Sequence, residues 1–227
     1  MARIKEEVQG IILHDNKGNV SAEYTGEMVE TIKNTVAKGA TTAELLMFLT
    51  VANKYDLDPF LNEIYFVKMG EDEDEKATIM TSRDGYAKIA KREPDFVKCQ
   101  SMEVRQNDSF EMEFEFGDIK NIKHSFSHMD RGKIVGAYAV LKTKSGNDVA
   151  TYVTRDEYDT GKNAWSKYKS AMLKKVAENE VYKKFADING ISAFENMPAE
   201  FSEGVEELET DDESVEFIDV NIKEKEE

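Results

Sequence analysis

Between Thr160 and Phe185 the chain places Lys162, Lys167, Lys169, Lys174, Lys175, Lys183 and Lys184 against only Glu178 and Glu180, a local charge of +5. Trp165, Tyr168 and Tyr182 are interleaved with these lysines. Cations at successive positions can track a phosphate backbone, and planar side chains between them can carry bases. The plainer alternative is the solvated face of an ordinary helix. At about 100° per residue, Trp165, Tyr168, Met172 and Val176 fall within roughly 80° of one another, with Lys167, Lys174 and Glu178 opposite. On spacing, Trp165 is therefore placed in the core before it is placed under a base.

Other arrangements that could do chemistry are weaker. Gly161-Lys162 imitates part of a phosphate-binding loop, but Asp156 and Asn163 stand where that loop needs Gly and Ser or Thr. His124 and His128 are four apart, with no third metal ligand nearby, in a stretch that reads as loop or strand. Cys99 is alone, so neither an internal disulfide nor a cysteine metal site is available, and no nucleophile elbow occurs. The residues argue for no covalent catalysis and no cofactor, ATP included.

The elements that must position the lysine segment are legible in outline. Residues 1–26 form an N-terminal arm with room for a small hairpin around Asn16, Gly18 and Asn19. Met28, Ile32 and Val36 mark a helix stopped at Gly39. Thr41 and Glu44 have capping-box spacing before a second helix with Leu45, Leu46, Phe48, Leu49, Ala52 and Tyr55 on its apolar face, closed by Asp58-Pro59. Residues 62–69 and 77–80 read as strands around an acidic tip at 70–75. Ser82 then caps a helix from Arg83 to Arg92 before Pro94. Strands follow at 96–105, 110–116 and 134–144, and Ser145-Gly146-Asn147 turns the last of these into a hairpin with 149–153. Thr154 and Glu157 repeat the capping-box spacing. The run from Asn163 to Phe185, free of Pro and Gly, predicts one long helix, either contacted on two sides or bent near Asn179 to accommodate Val181 and Phe185. The expected fold is α+β: an antiparallel sheet with a long helix packed across it, an N-terminal helical pair, and an acidic disordered C-terminal tail.

Composition sets the outer bounds. A chain of 227 residues with 40% hydrophobic residues and only 3 Pro buries one substantial core. The net charge of −16 is unevenly placed: residues 195–227 hold 14 acidic side chains against Lys223 and Lys225, so the tail carries −12 and the rest of the chain −4. A protein that mimics nucleic acid spreads carboxylates over its body, whereas this body is nearly balanced. Apolar residues recur in the tail at Phe201, Val205, Leu208, Val215, Phe217, Ile218 and Val220. No apolar run reaches the roughly 18 residues of a membrane span. The opening MARIKEEVQG lacks a signal-peptide core, which predicts a cytoplasmic protein.

The order of segments resembles a known family. LTVANKYDLDPFLNEIYFVK followed by IMTSRDGYAKIAKREPDFVKCQSMEV, and then GAYAVLKTKSG with YVTRDEYDTGKNAWSKYKSAMLKKVAENEVYKKF, is similar to the RecT/Bet (Red-beta) family of phage single-strand annealing proteins over residues 27–192. Asp58 replaces the more usual Asn before Pro59. Lys183 or Lys184 stands where many members carry Arg, and residues 195–227 are too acidic and too short to supply the family's C-terminal helical module. The resemblance implies an ATP-independent recombinase that binds single-stranded DNA and pairs it with a complementary strand. It implies assembly as a ring or helical filament, alongside a phage exonuclease and host single-strand-binding protein. It divides the chain into an arm at 1–26, an annealing core at 27–194 and a flexible acidic tail at 195–227. The DNA-binding candidates are Lys162, Trp165, Lys167, Lys169, Lys174, Lys175, Lys183 and Lys184, with Arg155, Arg83, Lys88 and Arg92 as matches to DNA-facing elements. Lys91 lies among the latter. The competing class is an acidic protein-interaction or DNA-mimic protein, and a metal-dependent nuclease is disfavoured for want of a compact acidic motif.

Overall fold

The computed structural model describes residues 10–14, 17, 19–69, 76–127, 129–162, 164–189 and 191–193. Asn16, Gly18, the tip at 70–75, His128, Asn163 and the tail from 195 lie outside them. The first elements are an antiparallel hairpin, β1 (Ile11–His14) and β2 (Val20–Tyr24), which buries Leu13 and packs Ile11, Ala22 and Tyr24 on the core. Residues 11–14 and 20–24 are thus joined to the body.

Two helices follow, as expected. In α1 (Gly26–Asn34) the Thr25 side chain accepts a hydrogen bond from Met28 N, and the buried face is Val29 and Ile32, with Met28 exposed. The helix ends at Asn34, earlier than the apolar repeat suggested; Gly39, at φ 76°, turns the chain toward the next helix. The capping box of α2 (Thr42–Tyr55) forms as read: Glu44 N donates to Thr41 Oγ1 at 3.3 Å and Thr41 N to Glu44 Oε2 at 2.7 Å. Leu45, Phe48, Leu49 and Ala52 are buried, whereas Leu46 is exposed.

Strands β3 (Ile64–Met69) and β4 (Lys76–Thr81) pair antiparallel, and β10 (Ser192–Ala193) adds to β4 in parallel. Ile64, Tyr65, Phe66 and Val67 are all buried, so β3 is covered on both faces. Ser82 caps α3 (Arg83–Arg92), accepting from Gly85 N at 3.2 Å. A Cβ on Gly85 would lie 2.3 Å from Glu63 O and 2.7 Å from Thr81 Cγ2, which is how closely α3 seats on the β3/β4 hairpin. Gly85→Ala is expected to destabilise the protein by about 1–3 kcal/mol, read as a lowered urea midpoint with an unchanged slope.

The central sheet has the order β5-β8-β9, all antiparallel: β5 (Phe96–Arg105), β8 (Ile134–Thr143) and β9 (Val149–Thr154). The β8/β9 hairpin matches the sequence expectation. One sheet face carries Ala137, Ala139, Leu141 and Thr151 against the long helix, and Thr151 Oγ1 donates to Ala177 O at 2.8 Å. The other face carries Tyr138 and Tyr152, cross-strand neighbours covered by a second hairpin, β6 (Ser109–Glu115) and β7 (Asp118–Ser125). Phe110 stacks there, its ring centroid 5.6 Å from Tyr138 and 5.3 Å from Tyr152. Strand β7 was not assigned from sequence.

The remaining helices are α4 (Arg155–Tyr158), α5 (Ala164–Lys167) and α6 (Lys169–Ala186). The single helix expected from Asn163 to Phe185 is broken at Tyr168, whose backbone (φ −121°, ψ 40°) is not helical. Past the break, α6 lies across the sheet with α3 beside it. This contact on two sides buries Leu173, Val176, Ala177, Val181 and Tyr182 together and accounts for the apolar residues that fell off the stripe. No helix among the described residues is long and apolar enough to cross a membrane.

Candidate nucleic-acid interface

The turn from β9 into α6 is tied by one carboxylate. Asp159 Oδ2 accepts from Arg155 Nε at 2.8 Å and from Lys169 Nζ at 2.6 Å, while its Oδ1 accepts from Gly161 N at 3.0 Å. Burial opposes ionisation of Asp159, yet these cations hold its carboxyl below the usual carboxylate range. The same contacts fix Arg155 and Lys169 in place and offset part of their charge. Lys162 and Lys167 stand exposed, and no ion pair holds them among the described residues.

The break at Tyr168 decides which aromatic faces water. An unbroken helix would set Trp165 and Tyr168 only about 60° apart. Instead Trp165 is 6% exposed and part of the core cluster, while Tyr168 is 64% exposed between Lys167 and Lys169. Trp165 is therefore a core residue here, where its spacing placed it first. Tyr182, the third planar group, is also buried.

Tyr168 stands just before α6, in which Ala171 and Lys175 lie one turn apart on one face. Lys175 is half-buried without an ion pair among the described residues. Lys174, expected to be fully wet, is half-buried and lends its charge to Glu103 of β5. Burial works against ionisation of Glu103, but its backbone and the charges of Arg131 and Lys174 hold the carboxyl below its ordinary value. Glu178, also expected in water, accepts from Ser101 Oγ and lies 3.6 Å from Arg83 Nε, so Arg83 binds α3 to α6. Together these elements gather Arg155, Lys162, Lys167, Lys169, Lys174, Lys175 and Tyr168 on the α4–α6 turn and the first half of α6, where residues 155–175 carry +3.

The other candidates lie elsewhere and are engaged. Lys88 Nζ donates to Glu63 Oε2 at 2.6 Å. Arg92 caps the end of α2, donating to the Tyr55 and Asp56 carbonyls at 2.6 and 2.9 Å, which is a structural duty. Lys183 pairs with Glu180 at 3.1 Å and lies over the Tyr86 ring, and Lys184 is 4.0 Å from Asp118 at the hairpin end of α6.

One polar cluster went unread in the sequence. Asp108, with no side-chain exposure, accepts from Arg131 Nε and Nη2 at 2.9 and 2.7 Å and stands 3.0 Å from His124 Nε2. His124 Nδ1 is 3.3 Å from the Tyr138 hydroxyl, and the Arg131 guanidinium lies 3.7 Å from the Phe126 ring centre. The Arg131 bonds, foremost, hold the Asp108 carboxyl far below the usual range. His124 is thus a fastener of the β6/β7 hairpin, and no group of potential metal ligands forms among the described residues. Its partners are brought from separate turns, and no spacing in the sequence announces them.

A family model described as the RecT family matches residues 22–213, whereas no curated protein matches the chain. The match takes in the capped α2, the α3 hairpin seat, the central sheet and the lysine-bearing helix in one continuous span. With most of its length so matched, the chain belongs to the RecT family, a family of DNA recombination by single-strand annealing.

Proposed function

We propose that the protein is an ATP-independent annealing protein that holds single-stranded DNA along the α4–α6 turn and the open face of early α6. The match to the RecT family across residues 22–213 carries this reading. The local geometry supports it: Lys162, Lys167 and Lys175 are cations without an ion pair among the described residues, and Tyr168 offers an exposed ring between two of the lysines. Cations hold the phosphates while bases lean on or project past Tyr168, so a second strand tests its pairing with base pairing as the only driving force. One subunit covers few nucleotides, and side-by-side subunits of the 27–194 core, as a ring or filament, extend the track. The lysine count makes the affinity strongly salt-dependent.

A titration of the full-length protein with a labelled oligonucleotide across a salt series, followed by the complementary strand, tests the reading. Binding whose logarithm falls with log salt by about 0.7 per neutralised phosphate, with faster pairing and no ATP, is expected. Absence of binding at low salt would overturn it and favour an acidic interaction protein.

A further inference from the structure

The sheet order leaves β9 an edge strand, and no strand pairs with its outer side among the described residues. A cleft of about 340 Å³ is lined by residues 150–153 of β9 together with Met112, Phe114 and Ile119 of the β6/β7 hairpin. Lys184 and Tyr158 also line it, with Glu157 and Glu180. An edge strand beside an apolar wall suits an extended chain, whose main chain bonds the strand while alternate side chains enter the wall.

The chain contains a segment of that pattern outside the described residues. In residues 214–222, SVEFIDVNI, the apolar Ile218, Val220 and Ile222 recur at the period of two that one strand face needs, with Asp219 and Asn221 between them, while Val215 and Phe217 before them fall on the other face. The segment begins past residue 213, where the family match ends, so it is an addition to the matched span. It follows Ala193 by roughly 20 residues, which span on the order of 65 Å extended and about 25 Å as a coil, against a radius of gyration of about 16 Å for the body. A tether of this kind holds the segment near its own body at an effective concentration of about millimolar, so modest intrinsic affinity suffices. Of the charges lining the cleft, Lys184 can pair with Glu216 or Asp219, whereas Glu157 and Glu180 have the same sign as the segment.

We propose that residues 214–222 seat in this cleft as an added strand along β9 of their own chain. Seated, the segment covers the sheet edge against edge-to-edge association and brings the acidic run 194–213 alongside the body. This is independent of DNA binding and is read without DNA.

Hydrogen exchange of the full-length protein tests it, against two full-length variants: the tail variant Ile218→Asp, Val220→Asp, Ile222→Asp, and the wall variant Phe114→Asp at an exposed position. The β9 amides that do not bond β8 are expected to exchange about tenfold or more faster in both variants, at every point of a dilution series, with the core amides unchanged. Equal exchange in wild type and tail variant overturns the proposal. So does loss in the wall variant alone. Wild-type protection that fades on dilution overturns it in favour of the tail of a second copy.

Discussion

Asp108→Asn should lower the stability of the folded protein by about 3 kcal/mol, the low end of the cost of breaking a buried ion pair. The Asp108 side chain is fully buried and accepts twice from Arg131, so the amide leaves a largely buried guanidinium without its carboxylate. The cost stays at the low end because Arg131 keeps Glu103 Oε1 at 3.2 Å and the Glu103 carbonyl at 3.3 Å. In a thermal melt the deficit corresponds to a shift of roughly 6–12 °C for a body of this size. Its pH dependence gives the mechanism away. The folded-state pKa of Asp108 is depressed, so its contribution is fully present above the unfolded value near 4 and is lost as pH falls toward the folded value. The gap between wild type and variant is therefore expected to narrow below about pH 4. A gap that persists undiminished at lower pH, or no deficit at neutral pH, would contradict the clasp.

Local signals explain why parts of this fold are readable. The Thr41/Glu44 box, the Ser82 cap and the Ser145-Gly146-Asn147 turn each act within a few residues, and α2, α3 and the β8/β9 hairpin stand where those residues put them. The break at Tyr168 has no local breaker. It separates a Trp that enters the core from a Lys that must reach Asp159, and both demands come from outside the helix. The same distinction runs through the candidate interface. That residues 160–185 are rich in lysine is a fact of composition. Which cations are committed depends on acids placed by the fold: Glu63 for Lys88, 25 residues away, and the Asp56 carboxylate, which accepts from Arg92 36 residues away. The clasp of Asp108, His124 and Arg131 was hidden for the same reason, since its geometry exists only once β7 lies beside β6 and folds onto Tyr138.

Trp165→Ala and Tyr168→Ala should fail in opposite ways, although the two residues are three apart. Removing the buried indole is expected to cost about 3–5 kcal/mol of stability, as for large-to-small changes in a core, and to weaken DNA binding only through loss of folded protein. Trp165→Phe, which keeps most of the volume, should bind single-stranded DNA as wild type does. Tyr168→Ala removes an exposed ring, so its stability should stay within about 0.5 kcal/mol of wild type. Stacking on a base is worth about 1–3 kcal/mol, so its affinity for single-stranded DNA should drop by roughly 5- to 150-fold. Because a ring carries no charge, the salt slope should stay put in Tyr168→Ala, whereas Lys167→Ala or Lys175→Ala should each flatten it by about 0.7. These signs separate base contact from phosphate contact on either side of the break between α5 and α6. If folded Trp165→Phe lost more affinity than Tyr168→Ala, the ring that meets the bases would be the buried one, the turn would have to open to expose it, and the α4–α6 surface would have to be rebuilt around that movement.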